Sequence, residues 1–500
     1  MVEGLSDSTI YMAYYTVAHF LHSDIYGKQP GIANISVAQM TDSVWEYIFA
    51  LTDRVQSDIP QATLDAMRRE FTYWYPVDVR VSGNDLVNNH LVFFLYIHQA
   101  IWGIRLNGHL MLNGDKMSKS TGNFLTLTSA VQKFGADATR IALADGGDGI
   151  DDCNFEETTA NATILKLFEL KRWMENVIQH ARLLKPEEEF GQVRAAEKLE
   201  TVDAIQRTGP MTFWDSLFMN DMNTLIRQTV QAYKLTNFKA ALKSGFYDLT
   251  AARDSYRAAT HSASIGMHHE CVRSYVKSQA LMVCIFAPHW ADYIWREVLL
   301  KPSTIQLSRF PTPTTTTSSP NLQATSAYIK TTTARILAAH AGQQKRLSKG
   351  KGGLQFDPTQ ATRLTIYVAT SWPPWQQRYV DLVRAARRDG GGAALLDAKS
   401  VAGMVGGAEM RRAMPFIQEL KRKLEEAGDG HAGAVLDRVL GFDEAAVLGE
   451  MVPVLKATVA RLGEVRVVVV DDDDEEGAVA VPQFAGSAEP GNPAIEFFNV

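Results

Sequence analysis

Cysteine is scarce in this chain: Cys153, Cys271 and Cys284 are all that occur in 500 residues. Three cysteines supply neither a disulfide framework nor a Cys-x-x-Cys zinc signature, and their scarcity favours a reducing compartment. Long apolar runs are missing too. The stretch from Leu281 to Ala287 falls well short of the roughly 20 residues that cross a bilayer, so no membrane span or membrane partner is expected. The opening residues lack the basic and apolar parts of a secretory signal. Instead Ile10, Tyr11, Tyr14, Tyr15 and Val17 follow at once, with no polar lead-in. The formal net charge of −6 excludes a uniformly basic nucleic-acid binder, although a local basic face on an acidic body is still allowed. What is present is ordinary: 46% hydrophobic and 21% charged residues, enough for several cores, and a length that predicts roughly three domains.

Element types alternate over the first 150 residues. Helices are expected at 40–56 and 61–70, a short alternating strand at Val77–Gly83, a helix from Val87 to Trp102 and a strand at His109–Leu112. Asn107-Gly108 and Asn113-Gly114 read as turns. Strand, turn and helix in this order indicate an α/β layer architecture. From about 156 to 300 the apolar spacing is helical throughout, with Ile164, Leu167, Phe168, Leu170, Trp173, Met174, Val177 and Ile178 forming one broad stripe, which predicts a helical bundle. Pro302, Pro311, Pro313 and Pro320 then punctuate a Thr/Ser-rich run that predicts a flexible linker, placed at 301–325. Beyond it, strands are expected at Thr365–Ala369 and Val467–Val470. Helices are expected at 376–388, at 415–427 with Pro415 in its first turn, and at 443–461. These make a small α+β domain over 326–500.

The sharpest local feature is Lys116-Met117-Ser118-Lys119-Ser120-Thr121-Gly122-Asn123, between a short strand and a helix starting near Thr126 or Thr128. Lysine ammonium groups are mobile point charges, small residues let a loop approach closely, and a helix N-terminus presents free N–H groups. The combination suits a polyphosphate. A generic lysine pair in a loop would more often be solvated surface; an ungapped five-residue resemblance to a known nucleotide loop, in this strand–loop–helix context, reverses that preference. The segment resembles the signature loop of class I aminoacyl-tRNA synthetases. The stretches Asp7–Thr16, Tyr75–Gly83, Asn107–Asn113, Ser120–Leu127 and Gly135–Asp145 are similar to leucyl-tRNA synthetases of the cytosolic eukaryotic and archaeal type. Phe286-Ala287-Pro288-His289 resembles the end of that family's anticodon-binding bundle, and Met414–Ile417 and Pro490–Pro493 extend the likeness thinly to the far end.

The resemblance implies a partial, Rossmann-like nucleotide-binding α/β catalytic core over 1–155, an all-α anticodon-binding bundle over 156–300 and an α+β domain contacting tRNA after the linker. It implies ATP binding by Gly83, Asp85, Lys116, Met117, Ser118, Lys119 and Ser120, with Lys119 and Lys116 catalytic. Ser8, Tyr11 and His90 would line the amino-acid pocket. Asn84 stands where the family carries a lysine. Taken singly, His90 and Tyr11 could equally be core residues. The expected activity is leucine–tRNA ligation in the cytoplasm: leucine attacks the α-phosphorus of ATP, and the leucyl group then passes to tRNA-Leu. Mg2+ would accompany ATP, with no protein-bound metal site. Isoleucine-, valine- or methionine-specific enzymes are the nearest competitors, and a noncatalytic tRNA- or protein-binding fragment is the other class of reading.

From Val298 to Phe356 there is not one Asp or Glu, while Lys301, Arg309, Lys330, Arg335, Lys345, Arg346, Lys349 and Lys351 all carry positive charge. Such a stretch can neutralise phosphates, and Lys330, Arg335, Lys345, Arg346, Lys349 and Lys351 are the tRNA-binding candidates. Arg411, Arg412, Lys421, Arg422 and Lys423 form a weaker second patch. Asp145–Asp152 lacks the ligand spacing of an EF-hand and reads as a turn between domains; Asp471–Glu476 reads as a solvated loop. No His-x-Gly-His segment occurs, nor any counterpart of the family's editing domain. Both are expected upstream, so the chain is expected to match a C-terminal portion of the enzyme and to be inactive alone. No residue pattern assigns membership of a larger synthetase complex.

Overall fold

A computed structural model describes residues 11–97, 103–118, 120, 122–184, 206–313, 319–350, 355–388, 407–427, 432–470 and 487–500. By contact density the chain forms two compact units, Met1–Leu167 with Asn237–Lys239, and Phe168–Thr236 with Ala240–Val500. The boundary therefore falls inside a helix, at Leu167, and not at 155 where the composition changes. Among the described residues no helix is long and apolar enough to cross a membrane.

After short helical turns before residue 22, the first unit has helices α1 (Asp42–Ile48) and α2 (Gln61–Trp74). Val44, Ile48, Leu64 and Met67 recur at helical spacing and pack with Val17, Tyr47 and Ile59 into one core. Strand β1 (Val79–Gly83), helix α3 (His90–Ile97) and strand β2 (Gly103–Asn107) follow. β1 and β2 are parallel and in register, Val79 opposite Gly103 and Gly83 opposite Asn107. A parallel pair needs a crossover, and α3 supplies it. β2 was not anticipated, because the apolar run before it reads as continuous helix.

A second small sheet has β3 (Leu110–Leu112) at its centre, antiparallel to β4 (Asp115–Lys116) and parallel to β5 (Cys153–Phe155). The expected nucleotide-binding sheet is thus two small sheets among the described residues, linked through Gly108. A Cβ at Gly108 would lie 2.4 Å from the Asp151 carbonyl, so only glycine lets the two backbones pass. Helices α4 (Leu127–Phe134), α5 (Ala136–Gly146) and α6 (Glu157–Leu184) close over β3 and β5 with Leu112, Phe134, Ala142, Phe155 and Ala160 as core. The aspartates after α5 tie down backbone: Asp152 accepts from His109 N–H at 2.7 Å, and Asp148 from Lys239 N–H at 3.1 Å.

The second unit holds the bundle: the rest of α6, α7 (Phe213–Lys234), α8 (Leu249–Ser262), α9 (His269–Val283) and α10 (Pro288–Tyr293). A π-helical turn, Lys243–Asp248, precedes α8. Its wider winding displaces carbonyls from the usual ladder, and Gln279 Nε2 donates to Gly245 O at 3.0 Å. The stretch expected as a linker is partly structured. Ile305 is buried, with its N–H on Asp292, and α11 (Pro320–Ser348) begins at Pro320. Proline suits that first position because the N–H it lacks would have no helical partner, and Ser319 caps the turn.

After α11 a three-stranded sheet has β6 (Thr362–Ala369) in the middle, parallel to β7 (Leu462–Val470) and antiparallel to β8 (Ala494–Asn499). Helices α12 (Pro374–Arg388), α13 (Gly407–Ala427) and α14 (Glu444–Thr458) lie in the crossover. Pro415 is interior to α13, not in its first turn. Ala413, Ile417, Leu420 and Leu424 are all buried along that helix, and this stripe outweighs the hydrogen bond that proline forfeits. The acidic run Asp471–Glu476 lies outside the described residues.

Candidate functional site

The lysine loop grows from a hairpin whose turn is written in its residues. Asn113 and Gly114 both have positive φ, 52° and 89°, the requirement of the two-residue turn that matches strand twist. The hairpin pairs Met111 with Lys116 and leaves Lys116 exposed. Asn113 Oδ1 accepts from Glu157 N–H at 3.0 Å, and Gly114 N–H donates to Asn154 Oδ1 at 2.8 Å, so the base of the loop is fixed. Ser118 N–H then donates to Asn123 O at 2.9 Å, and the Asn123 amide reaches back to Lys116 O at 3.3 Å. The Ser118 and Ser120 hydroxyls lie 2.8 Å apart. Met117 is half-buried and packs against the Leu112–Phe155 core, so it anchors the loop. Thr126 caps α4, accepting from Ser129 N–H at 3.1 Å. Lys119 lies outside the described residues.

A second group sits at the end of β1. The Asp85 carboxylate folds back over Gly83, where a Cβ would meet its Oδ1 at 2.6 Å; glycine is what leaves that space. The Tyr11 and His90 rings have centroids 6.1 Å apart, and His90 Nδ1 is buried with no partner among the described residues. Tyr11 also borders a cleft of about 620 Å³ walled by Tyr15, Trp74 and Val81. Ser8 lies outside the described residues. Gly83 ends β1, Asp85 lies in the turn after it and His90 opens α3, whereas the lysine loop leaves the β3 sheet. Among the described residues no group of three or more His, Cys, Asp or Glu could hold a metal ion.

Comparison with known proteins decides the family. The whole chain aligns with the cytoplasmic leucine–tRNA ligase of Neurospora crassa at 43% identity, covering 44% of that protein. It aligns with that of Saccharomyces cerevisiae at 40% over its full length, again 44% of the relative. The leucine–tRNA ligase of Aeropyrum pernix is 32% identical over 99% of the chain and 46% of the relative. The chain belongs to the leucine–tRNA ligase family. It spans less than half the length of these curated relatives. Within the chain, residues 41–179 match a class I tRNA synthetase model and 215–343 an anticodon-binding domain of tRNA ligases. Residues 368–436 match a model described as the leucine–tRNA ligase RagD-binding domain.

The basic residues of the chain separate into two kinds. Lys330 is 3.3 Å from Asp221 of α7, which also accepts from Ser326 at 2.7 Å. Arg335 donates to Asn492 Oδ1 and to Pro493 O. Both candidates are paired within the second unit, Lys330 while still exposed and Arg335 against the C-terminal loop. Lys345, Arg346 and Lys349 are exposed over the last turn of α11, where the helix dipole favours cations. Lys351 lies outside the described residues. The weaker patch is largely neutralised, since Arg422 pairs with Glu419 and Glu426, and Lys423 with Glu419. Arg422 holds the Glu419 carboxyl down at about 2. Sequence reasoning overlooked Asn123 as the loop's staple and Arg80 as a link between elements. Asn123 ends the lysine string but its staple to Lys116 O needs the folded loop, and no motif announces Arg80, whose partners lie elsewhere in the chain.

Proposed function

We propose that the chain carries the ATP-closing loop and the tRNA-binding part of a cytoplasmic leucine–tRNA ligase. The full-length likeness to leucine–tRNA ligases carries this reading, and the stapled strand–loop–helix around Lys116 supports it. In the first step a leucine carboxylate oxygen attacks the α-phosphorus of ATP and the bond to pyrophosphate breaks. In the second a ribose hydroxyl of tRNA-Leu attacks the leucyl carbonyl and AMP leaves. Negative charge gathers on phosphate oxygens in the first step, so positioned cations do most of the stabilising. Lys116 and Lys119 fill that role, with the Ser118 and Ser120 hydroxyls and the N-terminus of α4 beside them. Gly83 and Asp85 receive the adenosine, and Ser8, Tyr11 and His90 the leucine side chain. Mg2+ enters with ATP as part of the substrate. Lys345, Arg346, Lys349 and Lys351 meet tRNA phosphates. Because one family model over 368–436 is named for RagD binding, we assign that segment a protein-docking role as well.

Leucine-dependent ATP–pyrophosphate exchange by the full-length polypeptide that contains this chain tests the reading. Lys116→Ala is expected to lower exchange by about 10²-fold, the usual effect of losing one transition-state donor. Exchange driven by isoleucine, valine or methionine in place of leucine would overturn the assignment.

A further inference from the structure

Arg80 lies where two separate pieces of the first unit meet. Its guanidinium carbon is 5.4 Å from the Tyr11 ring centroid and 5.1 Å from that of Phe94. Its Nη1 is 3.8 Å from Met12 Sδ. Tyr11 and Met12 belong to the segment before α1, whereas Phe94 is one helical turn beyond His90 on α3. Residues four apart share a helix face, so the guanidinium bridges the two elements that bring Tyr11 and His90 to 6.1 Å. A planar, delocalised, weakly hydrated cation can stack on two rings at once; a lysine ammonium on a flexible stem cannot hold both at fixed spacing.

We propose that Arg80 is a positioning residue that sets the width of the leucine pocket by clamping Tyr11 to the His90–Phe94 face of α3. The inference rests on the synthetase reading above. Its consequence concerns selectivity more than chemistry. Leucine and isoleucine differ only in where the side chain branches, and pockets separate such pairs by about 10- to 200-fold at best. That margin depends on wall positions being held to a fraction of an ångström, and relaxing one wall erodes it first. Arg68, stacked on Tyr47 at 4.7 Å in the same unit, makes a comparable contact remote from Tyr11 and His90 and serves as the control.

The test uses the full-length polypeptide and compares wild type with Arg80→Lys, Arg80→Ala and Arg68→Ala. Leucine- and isoleucine-dependent exchange and melting temperature are measured for each. Arg80→Lys is expected to raise KM for leucine by about tenfold and to reduce the leucine-over-isoleucine preference by about tenfold. Its kcat should change far less and its melting temperature should stay near wild type. Arg80→Ala should show the same pattern, and Arg68→Ala should keep the wild-type KM and preference. A wild-type KM and preference in Arg80→Lys would overturn the inference, as would a loss confined to stability or to kcat. If wild type itself shows no leucine-dependent exchange, it is the synthetase reading that fails.

Discussion

Glu444 is 6% exposed in the first turn of α14, and Gly491 N–H donates to its Oε2 at 2.8 Å. Burial pushes its carboxyl above the usual range, against the pull of that hydrogen bond and of Arg438. An acid whose folded pKa is raised binds its proton more tightly when folded. Its contribution to stability is full below the ordinary value near 4.5 and is lost as pH rises through the raised one. Glu444→Gln keeps an acceptor for Gly491 but no longer titrates. Thermal melts of wild type and variant are expected to lie close at pH 4 and to diverge toward pH 7 in the variant's favour; parallel profiles would refute this. The same C-terminal loop takes Arg335 at Asn492 and Pro493, and Arg438 at Pro490 O. The pairing of Arg335 shows why residue type alone misassigns a cation: its partner is over 150 positions away.

At the scale of elements, α7 shows how much one carboxylate can organise. Asp215 is fully buried. It accepts from Thr212 N–H at 2.6 Å, from the Thr212 hydroxyl at 2.8 Å, from Tyr256 OH on α8 and from Arg207. It thus closes the capping box of one helix and docks a second. Desolvation works against its charge, yet these donors hold its pKa below the ordinary value, so their support exists above that value and is lost as pH falls through the depressed one. Asp215→Ala strands a cation and several donors and is expected to cost about 3–5 kcal/mol in denaturant unfolding. Glu464→Ala, in an exposed pair with Arg466, should cost far less. Equal losses would show that the network is dispensable. Legibility follows the same division. α4, β1 and the bundle could be read from local capping, alternation and apolar spacing. β2 and β8 could not, because pairing with β1 or β6 is what makes those segments strands. Pro415 misplaced the start of α13 because a buried stripe overruled a local breaker. In the site, Lys116 and its neighbours were visible as a contiguous string, whereas Arg80 gains meaning only once Tyr11 and Phe94 fold onto it.

At the scale of the whole molecule, a body of net charge −6 still presents the exposed cations Lys345, Arg346 and Lys349 together at the tip of α11. If the tip of α11 meets RNA, affinity should fall with salt in proportion to the phosphates neutralised. Replacing Lys345, Arg346 and Lys349 by alanine is expected to lower the slope of log affinity against log salt by roughly two to three. Lys330→Ala should barely change it, because Asp221 already neutralises that charge. Equal slope changes in the two variants would sink the division of the cations. The geometry of α11 has a mechanical side. Its 29 residues make a stiff rod of about 43 Å at roughly 1.5 Å per residue. The first turns grip α7 through Ser326 and Lys330, and the cations ride at the opposite end. From that grip to the last turn the rod runs about 30 Å at the same rise. Because Arg335 ties the middle of the rod to Asn492 and Pro493, and Ile336, His340 and Gln343 stay buried beyond it, a pull on the tip is shared between the C-terminal loop and Asp221.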